Sequence, residues 1–232
     1  MRLRAVFFDL DQTLFPAEQA YRRGLRSAWR ALREREPVGW ERFQSLYARA
    51  RQRVKARLKS SPSARSRLLY FKQLVEDLSG RPRPALVLAM MRAYDRAWPA
   101  ADLGASRRVA AALAGSYTLG ILTNLVCDTQ LRKMLRLDPD GRLFRVLITS
   151  EELGVEKPQR AMFREACRRA GCRPGEALMV GDDWEHDVLG SLRAGLRAVW
   201  LRPPGSPERR LPAGAARIDH LSELPAVLGG AP

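Results

Sequence analysis

Residues 3–13 read LRAVFFDLDQT: an apolar run with strand character over 3–8, stopped abruptly by Asp9, Asp11 and Thr13. Two carboxylates at i and i+2, leaving an apolar strand, concentrate negative charge where it is costly unless a cation accompanies it. A single Asp after a strand is an ordinary turn former. A pair in this position asks for chemistry.

Beyond the pair, the chain has helical character as far as about Trp98. Tyr21, Leu25, Ala28, Trp29 and Leu32 recur at helical spacing, as do Phe43, Leu46, Tyr47, Ala50, Val54 and Leu58. Bases at every second position from Arg49 to Lys59 imitate a strand. Ala50, Val54 and Leu58 nevertheless form an i, i+4 stripe, and the Arg/Ala/Leu/Lys content favours helix. Two more helices are expected near 63–78 and 84–97, parted by the breaker cluster from Gly80 to Pro84. Leu86, Leu88, Met90 and Met91 read as apolar core of this segment.

After residue 100 the pattern alternates. Helix-like ASRRVAAALAG leads to strand YTLGILT (117–123), helix DTQLRKMLRL and strand FRVLITS (144–150). Next come a helix over 160–170, strand ALMVG (177–181), a helix near 185–194 and strand LRAVWL (196–201). Such alternation argues for an α/β fold, a parallel sheet covered by helices. The first strand has no helix after it in this series. The simplest architecture places it in the later sheet, with the helical segment inserted after it. That divides the chain into a core of residues 1–15 and 100–232 and an all-helical lobe of residues 16–99. The Pro-, Gly- and Arg-rich tail after Arg202 reads as a loop before a short closing helix around 220–228.

In an open α/β sheet, ligands sit beyond the carboxyl ends of the strands. There the first strand delivers Asp9, Asp11 and Thr13, and the second Thr123 and Asn124. The fourth delivers Gly181, Asp182 and Asp183, with Asp187 a turn into the next helix. Past the third strand comes Lys157-Pro158. Pro158 suits the first turn of a helix and biases Lys157 towards an extended conformation. Taken singly, these are turn formers, helix caps or a solvated lysine. Four such groups at one sheet edge, in this order, defeat that reading.

The pattern resembles the four motifs of the haloacid dehalogenase-like (HAD) superfamily of hydrolases, with the helical insertion typical of its subfamily I. The resemblance covers nearly the whole chain and implies a Rossmann-like core with an inserted helical cap. It casts Asp9 as nucleophile, Asp11 as general acid/base and Thr13 as the close of the first motif. Thr123 matches the second-motif hydroxyl, Lys157 the third-motif lysine and Asp182 the fourth-motif metal ligand, with Asp183 and Asp187 supporting. Gln12 departs from the Gly, Asp or Asn common at its place.

The implied chemistry is hydrolysis of a phosphate ester. Ionised Asp9 attacks phosphorus to form an aspartyl-phosphate. Asp9, the Asp11 backbone carbonyl and Asp182 form a hard oxygen site suited to Mg²⁺. Lys157, Thr123 and the backbone amides around Asn124 bind the remaining phosphoryl oxygens. Asp11 protonates the leaving group and later takes a proton from water, a role that requires a raised pKa. Dehalogenation of a 2-haloacid is the alternative named by the superfamily, but halide displacement needs neither a second Asp nor a metal. A phosphomutase would use the same nucleophile and acid. In this family the cap supplies substrate contacts, for which Arg22, Arg23, Arg65 and Arg67 are candidates. His186 reads as a helix-surface residue, and nothing near Cys127 suggests a catalytic thiol.

The 232 residues, 46% hydrophobic and 28% charged, are ample for a buried core. No apolar run approaches the roughly 18 residues of a membrane span. Three cysteines without a CxxC pair exclude a disulfide framework and a zinc site of usual spacing, and point to a reducing cytoplasm. The net charge of +16 is concentrated: residues 16–99 hold 20 bases and 7 acids. Such a lobe raises nucleic-acid binding as a non-enzymatic alternative. Yet the 49–59 run lacks the interleaved aromatics of a single-strand platform, and charged helix faces are usually solvated. A basic lobe also attracts small anionic phosphorylated substrates. A coding bias towards Arg, present 36 times against five Lys, explains the composition as readily. The expected protein is therefore a cytoplasmic monomer or homodimer without a membrane segment.

Overall fold

β1 (Ala5–Phe8) is buried along its whole length, which is why it reads as a continuous apolar run rather than an alternating one. The computed structural model describes residues 2–59, 61–97 and 102–229 of the chain. It divides into two units, one of Met1–Phe15 and Asp102–Pro232, the other of Pro16–Ala101.

The second unit is helical: α1 (Ala17–Arg33), α2 (Trp40–Leu58), a 3₁₀ turn at Pro62–Arg65, α3 (Arg67–Ser79) and α4 (Pro84–Arg96). α1 packs on α4, and α3 on both α2 and α4. The buried stripe of α1 is Ala17, Ala20, Gly24, Ala28 and Leu32, smaller side chains than the spacing of Tyr21, Leu25 and Trp29 suggests. A Cβ on Gly24 would lie 2.6 Å from the Tyr94 ring, so glycine there permits the close approach of α1 to α4. The α4 face also corrects an expectation. Leu86, Val87, Met90 and Tyr94 are buried, Met91 is half-buried, and Leu88 is 48% exposed. Two residues of helix turn Leu88 about 200° away from Leu86, onto the solvent face. Trp98 and residues 99–101, where the sequence closes the helical segment, lie outside the described residues.

The first unit continues with α5 (Gly104–Ala114), β2 (Thr118–Thr123), α6 (Cys127–Leu137), β3 (Val146–Thr149) and α7 (Ser150–Leu153). α8 (Arg160–Arg169) and β4 (Ala177–Gly181) come next. A π-helical turn at Trp184–Leu189 then runs into α9 (Gly190–Arg193), β5 (Arg197–Leu201), β6 (Ala215–Ile218) and α10 (Leu224–Val227). The six strands among the described residues form one sheet in the order β3-β2-β1-β4-β5-β6, with every neighbouring pair parallel. Strand order reverses beside β1, and this places the ligand crevice of a doubly wound sheet at the carboxyl ends of β1 and β4. Phe7, Leu122, Ile148 and Met179 from four strands pack on Met162, Phe163 and Ala166 of α8. A smaller cluster joins Val188, Ala198 and Trp200.

Three local expectations are corrected. The tail after Arg202 is not loop alone, because Ala215–Ile218 adds a parallel edge strand to β5. Only Ile218 of that strand is buried, so it carries little apolar signal. The helix expected over 185–194 begins as a π turn. Finally, α8 starts at Arg160, so Pro158 precedes the helix rather than opening it, and the Lys157–Pro158 peptide bond is cis. No helix among the described residues is long and apolar enough to cross a membrane.

Candidate active site

Asp9 comes directly after β1, and its N–H donates to the Val180 carbonyl at 2.9 Å, extending the β1–β4 ladder by one residue. The nearly buried carboxylate accepts from Lys157 Nζ at 2.7 Å. Lys157, 2% exposed, also donates to Asp187 at 2.6 Å. Asn124, at the end of β2, locks the lysine loop through a reciprocal pair. Its Nδ2 donates to the Lys157 carbonyl at 2.9 Å, and its Oδ1 accepts from the Lys157 N–H at 2.8 Å. One side chain thus fixes the backbone that carries the cation.

β4 supplies the opposing wall. Asp182 accepts from the Thr13 hydroxyl at 3.3 Å, and its backbone carbonyl accepts from the Trp200 indole at 3.0 Å. The next residue, Asp183, turns away. Its carboxylate caps the π turn, accepting from the N–H groups of Glu185 and His186, and pairs with His186 Nδ1 at 2.9 Å. The hydrogen bond from His186 holds the Asp183 carboxyl down at about 2. One π turn later Asp187 returns to the site, and its Oδ2 accepts the Asp183 N–H at 3.1 Å. A Cβ on Gly181 would lie 2.2 Å from that oxygen, so only glycine at this position leaves room for Asp187.

Asp9, Asp182 and Asp187 bring one oxygen each within 4.8 Å of one another. Burial, and then the charges of Asp187, Asp11 and Asp182, push the Asp9 carboxyl up to about 8 in spite of Lys157. Burial and Asp187 push Asp182 up to about 6. The cluster therefore carries more negative charge than Lys157 neutralises. Its donors are hard oxygens, the set that suits Mg²⁺. The cluster differs from the expected ligand set in including Asp187. Of Asp11, the expected set uses only the backbone carbonyl, and its carboxylate is turned to α6.

Two residues that the sequence motifs do not include hold that carboxylate. The Lys133 ammonium pairs with Asp11, and Gln130 Nε2 lies 3.4 Å from the other Asp11 oxygen. Gln130 Nε2 also donates to the Thr123 hydroxyl at 2.5 Å. Both side chains are wholly buried. The signal available in the sequence is their register: Gln130 and Lys133 share the buried face of α6 with Met134 and Leu137. Polar residues at core-facing positions just after Thr123-Asn124 mark a site.

The candidate arginines belong to the helical unit. Arg22 pairs with Glu18 at 2.5 Å, and Arg22 and Arg23 border a cavity of about 690 Å³ with Trp40, Phe43 and Tyr47. Arg67 lies 4.4 Å from the Tyr21 ring centre and donates to the Arg65 carbonyl at 2.9 Å. Burial raises the Cys127 thiol above its ordinary range, opposite to what a nucleophilic thiol requires.

Comparison with known proteins gives this geometry a context. The chain is 35% identical over 206 residues to ribulose-1,5-bisphosphate 5-phosphatase of Halopiger xanaduensis, a match covering 86% of this chain and 84% of that protein. It is 32% identical over 205 residues to glyceraldehyde 3-phosphate phosphatase of Methanopyrus kandleri, covering 86% and 84%. Among solved structures, 2-haloacid dehalogenase from Pseudomonas syringae superposes with a TM-score of 0.75 at 27% identity, covering 97% of this chain and 98% of that one. The family model described as haloacid dehalogenase-like hydrolase matches residues 3–195. With the paired aspartates after β1 and the lysine and carboxylates that face them, a match of that span makes the chain a member of the haloacid dehalogenase-like hydrolase family.

Proposed function

We propose that the protein is a Mg²⁺-dependent phosphatase of small phosphorylated metabolites, working through an aspartyl-phosphate on Asp9. The observation that supports this reading is the cluster of Asp9, Asp182 and Asp187, whose oxygens would hold a cation beside the proposed nucleophile. Displacement of halide from a 2-haloacid has no use for such a site. The phosphatase relatives support the same choice.

Asp9 attacks phosphorus, so that an O–P bond forms as the bond to the leaving oxygen breaks. Lys157, the Thr123 hydroxyl and the backbone N–H of Asn124 hold the phosphoryl oxygens. The family resemblance gives Asp11 the task of protonating the departing alkoxide, for which its carboxylate must turn from Lys133 and Gln130 towards the leaving oxygen. It then takes one from the water that attacks the phosphoryl group and frees Asp9 and inorganic phosphate. Asp9, Asp182 and the Asp11 carbonyl, joined by Asp187, would hold Mg²⁺, which when bound supplies positive charge to phosphoryl oxygens and carboxylates alike.

The test is phosphate release from a panel of phosphomonoesters, including sugar phosphates, three-carbon phosphates and nucleoside monophosphates. Turnover is expected with Mg²⁺, is lost on chelation and returns when the ion is restored. Folded protein that hydrolyses none of them under these conditions would overturn the reading.

A further inference from the structure

We infer that Gln130 is a positioning residue that orients the Thr123 hydroxyl for substrate. The inference rests on the phosphatase reading above and adds a residue to it. Gln130 Nε2 reaches Thr123 Oγ1 at 2.5 Å and Asp11 Oδ2 at 3.4 Å. The amide nitrogen suits that place better than the oxygen, because it can donate to both the Thr123 hydroxyl and the Asp11 carboxylate. The amide group therefore arrives at Thr123 as a donor. A hydroxyl has one proton and two acceptor sites. With Gln130 donating, Oγ1 acts as acceptor in that bond, and its own proton is left to donate in another direction.

Thr123 is 1% exposed and ends β2, the strand beside β1. Free rotation of its hydroxyl would offer a phosphoryl oxygen a lone pair as readily as a proton. Occupying the acceptor side biases the group towards donation.

The arrangement carries a cost that stability alone would not select. Gln130 Oε1 is buried and has no hydrogen-bond partner among the described residues. A buried acceptor left unpaired is unfavourable, whereas an apolar side chain of the same shape would leave nothing unsatisfied. A glutamine used only for packing would be a poor choice here. One whose Nε2 orients Thr123 is explained.

The test is a double-mutant cycle of Gln130→Met and Thr123→Val, read by steady-state kinetics on the best phosphomonoester and by calorimetric binding of inorganic phosphate. Gln130→Met is expected to keep or raise the thermal midpoint while lowering kcat/KM about 10–100-fold and weakening phosphate binding. In the Thr123→Val background the same substitution is expected to cost much less, because the hydroxyl it orients is gone and only its 3.4 Å contact with Asp11 is lost. Gln130→Asn, one methylene too short to reach, is expected to show the same kinetic loss and stands in if the Met variant folds poorly. Additive losses in the cycle, or an unchanged kcat/KM in active protein, would overturn the inference alone. Wild-type protein without turnover on any ester would overturn the phosphatase reading and this inference with it.

Discussion

Asp9→Asn is expected to remove turnover, lowering kcat by at least about 10⁴-fold, and at the same time to stabilise the metal-free protein. An amide in place of the carboxylate has no charged oxygen with which to open the attack on phosphorus. Among the described residues no other carboxylate stands in its place: Asp182 is bonded to Thr13, Asp187 to Lys157, and Asp11 to Lys133 of α6. The stability gain comes from the same crowding that makes the site useful. In the unfolded chain Asp9 ionises near its ordinary value, 3.8, whereas in the fold burial pushes it up to about 8. Between those values the folded state holds a proton that the unfolded state has lost. Stability therefore falls as pH rises through that window. The asparagine stays neutral throughout, so the gap in thermal midpoint between variant and wild type is expected to widen from about pH 5 to about pH 8 in a chelator. Addition of Mg²⁺ is expected to narrow it by stabilising the wild type. Residual turnover of several per cent would remove Asp9 as nucleophile. A variant less stable than wild type at the upper end of that window would contradict the account of the crowded site.

The opposite substitution in charge has the opposite effect on stability. Lys157→Met is expected to cost about 3–5 kcal/mol, because it leaves the buried Asp187 carboxylate, and Asp9 where it is ionised, without their shared cation. In a chain of this size that is a fall of about 10 °C in thermal midpoint. Burial pulls the lysine towards neutrality, but Asp187 and Asp9 outweigh it and hold the ammonium charged. Methionine matches the length of the stem, so packing is kept and the loss is electrostatic. Turnover is expected to fall at least about 10³-fold, through loss of a donor to the phosphoryl group and of the order in Asp9. Calorimetric or fluorescence melting, with and without Mg²⁺, checks the stability half. A wild-type midpoint in the metal-free variant would show that the carboxylates do not depend on this ammonium.

Much of this arrangement is legible in the sequence, for a definite reason. A fully buried parallel strand must be apolar, so the place where β1 stops at Asp9 is visible in the sequence, and so is the place where β4 stops at Asp182. Strand ends at one sheet edge then collect the polar residues. The features that the sequence hides lack such contrast. β6 buries one residue in four, so it does not stand out from the Pro- and Gly-rich tail around it. The π turn depends on a shift in hydrogen bonding that no side-chain pattern records. It matters because it sends Asp183 outward and returns Asp187 to Lys157. Gln130 and Lys133 look like surface residues of an Arg-rich helix until their register with Met134 and Leu137 is considered. Leu88 misleads in the other direction, an apolar residue on the wet face of α4.

The indole of Trp200 is bonded to the carbonyl of Asp182 and set edge-on to Trp184 at 4.9 Å, which ties two fluorophores to the carboxylate cluster. An indole emits according to the field around it, and here that field includes the peptide group of a residue in the carboxylate cluster. Titrating Mg²⁺ or inorganic phosphate into the protein should therefore change its intrinsic emission without any label. Trp184→Phe and Trp200→Phe would assign the signal. A change that either variant abolishes would give the enzyme an optical gauge of whether the site is filled.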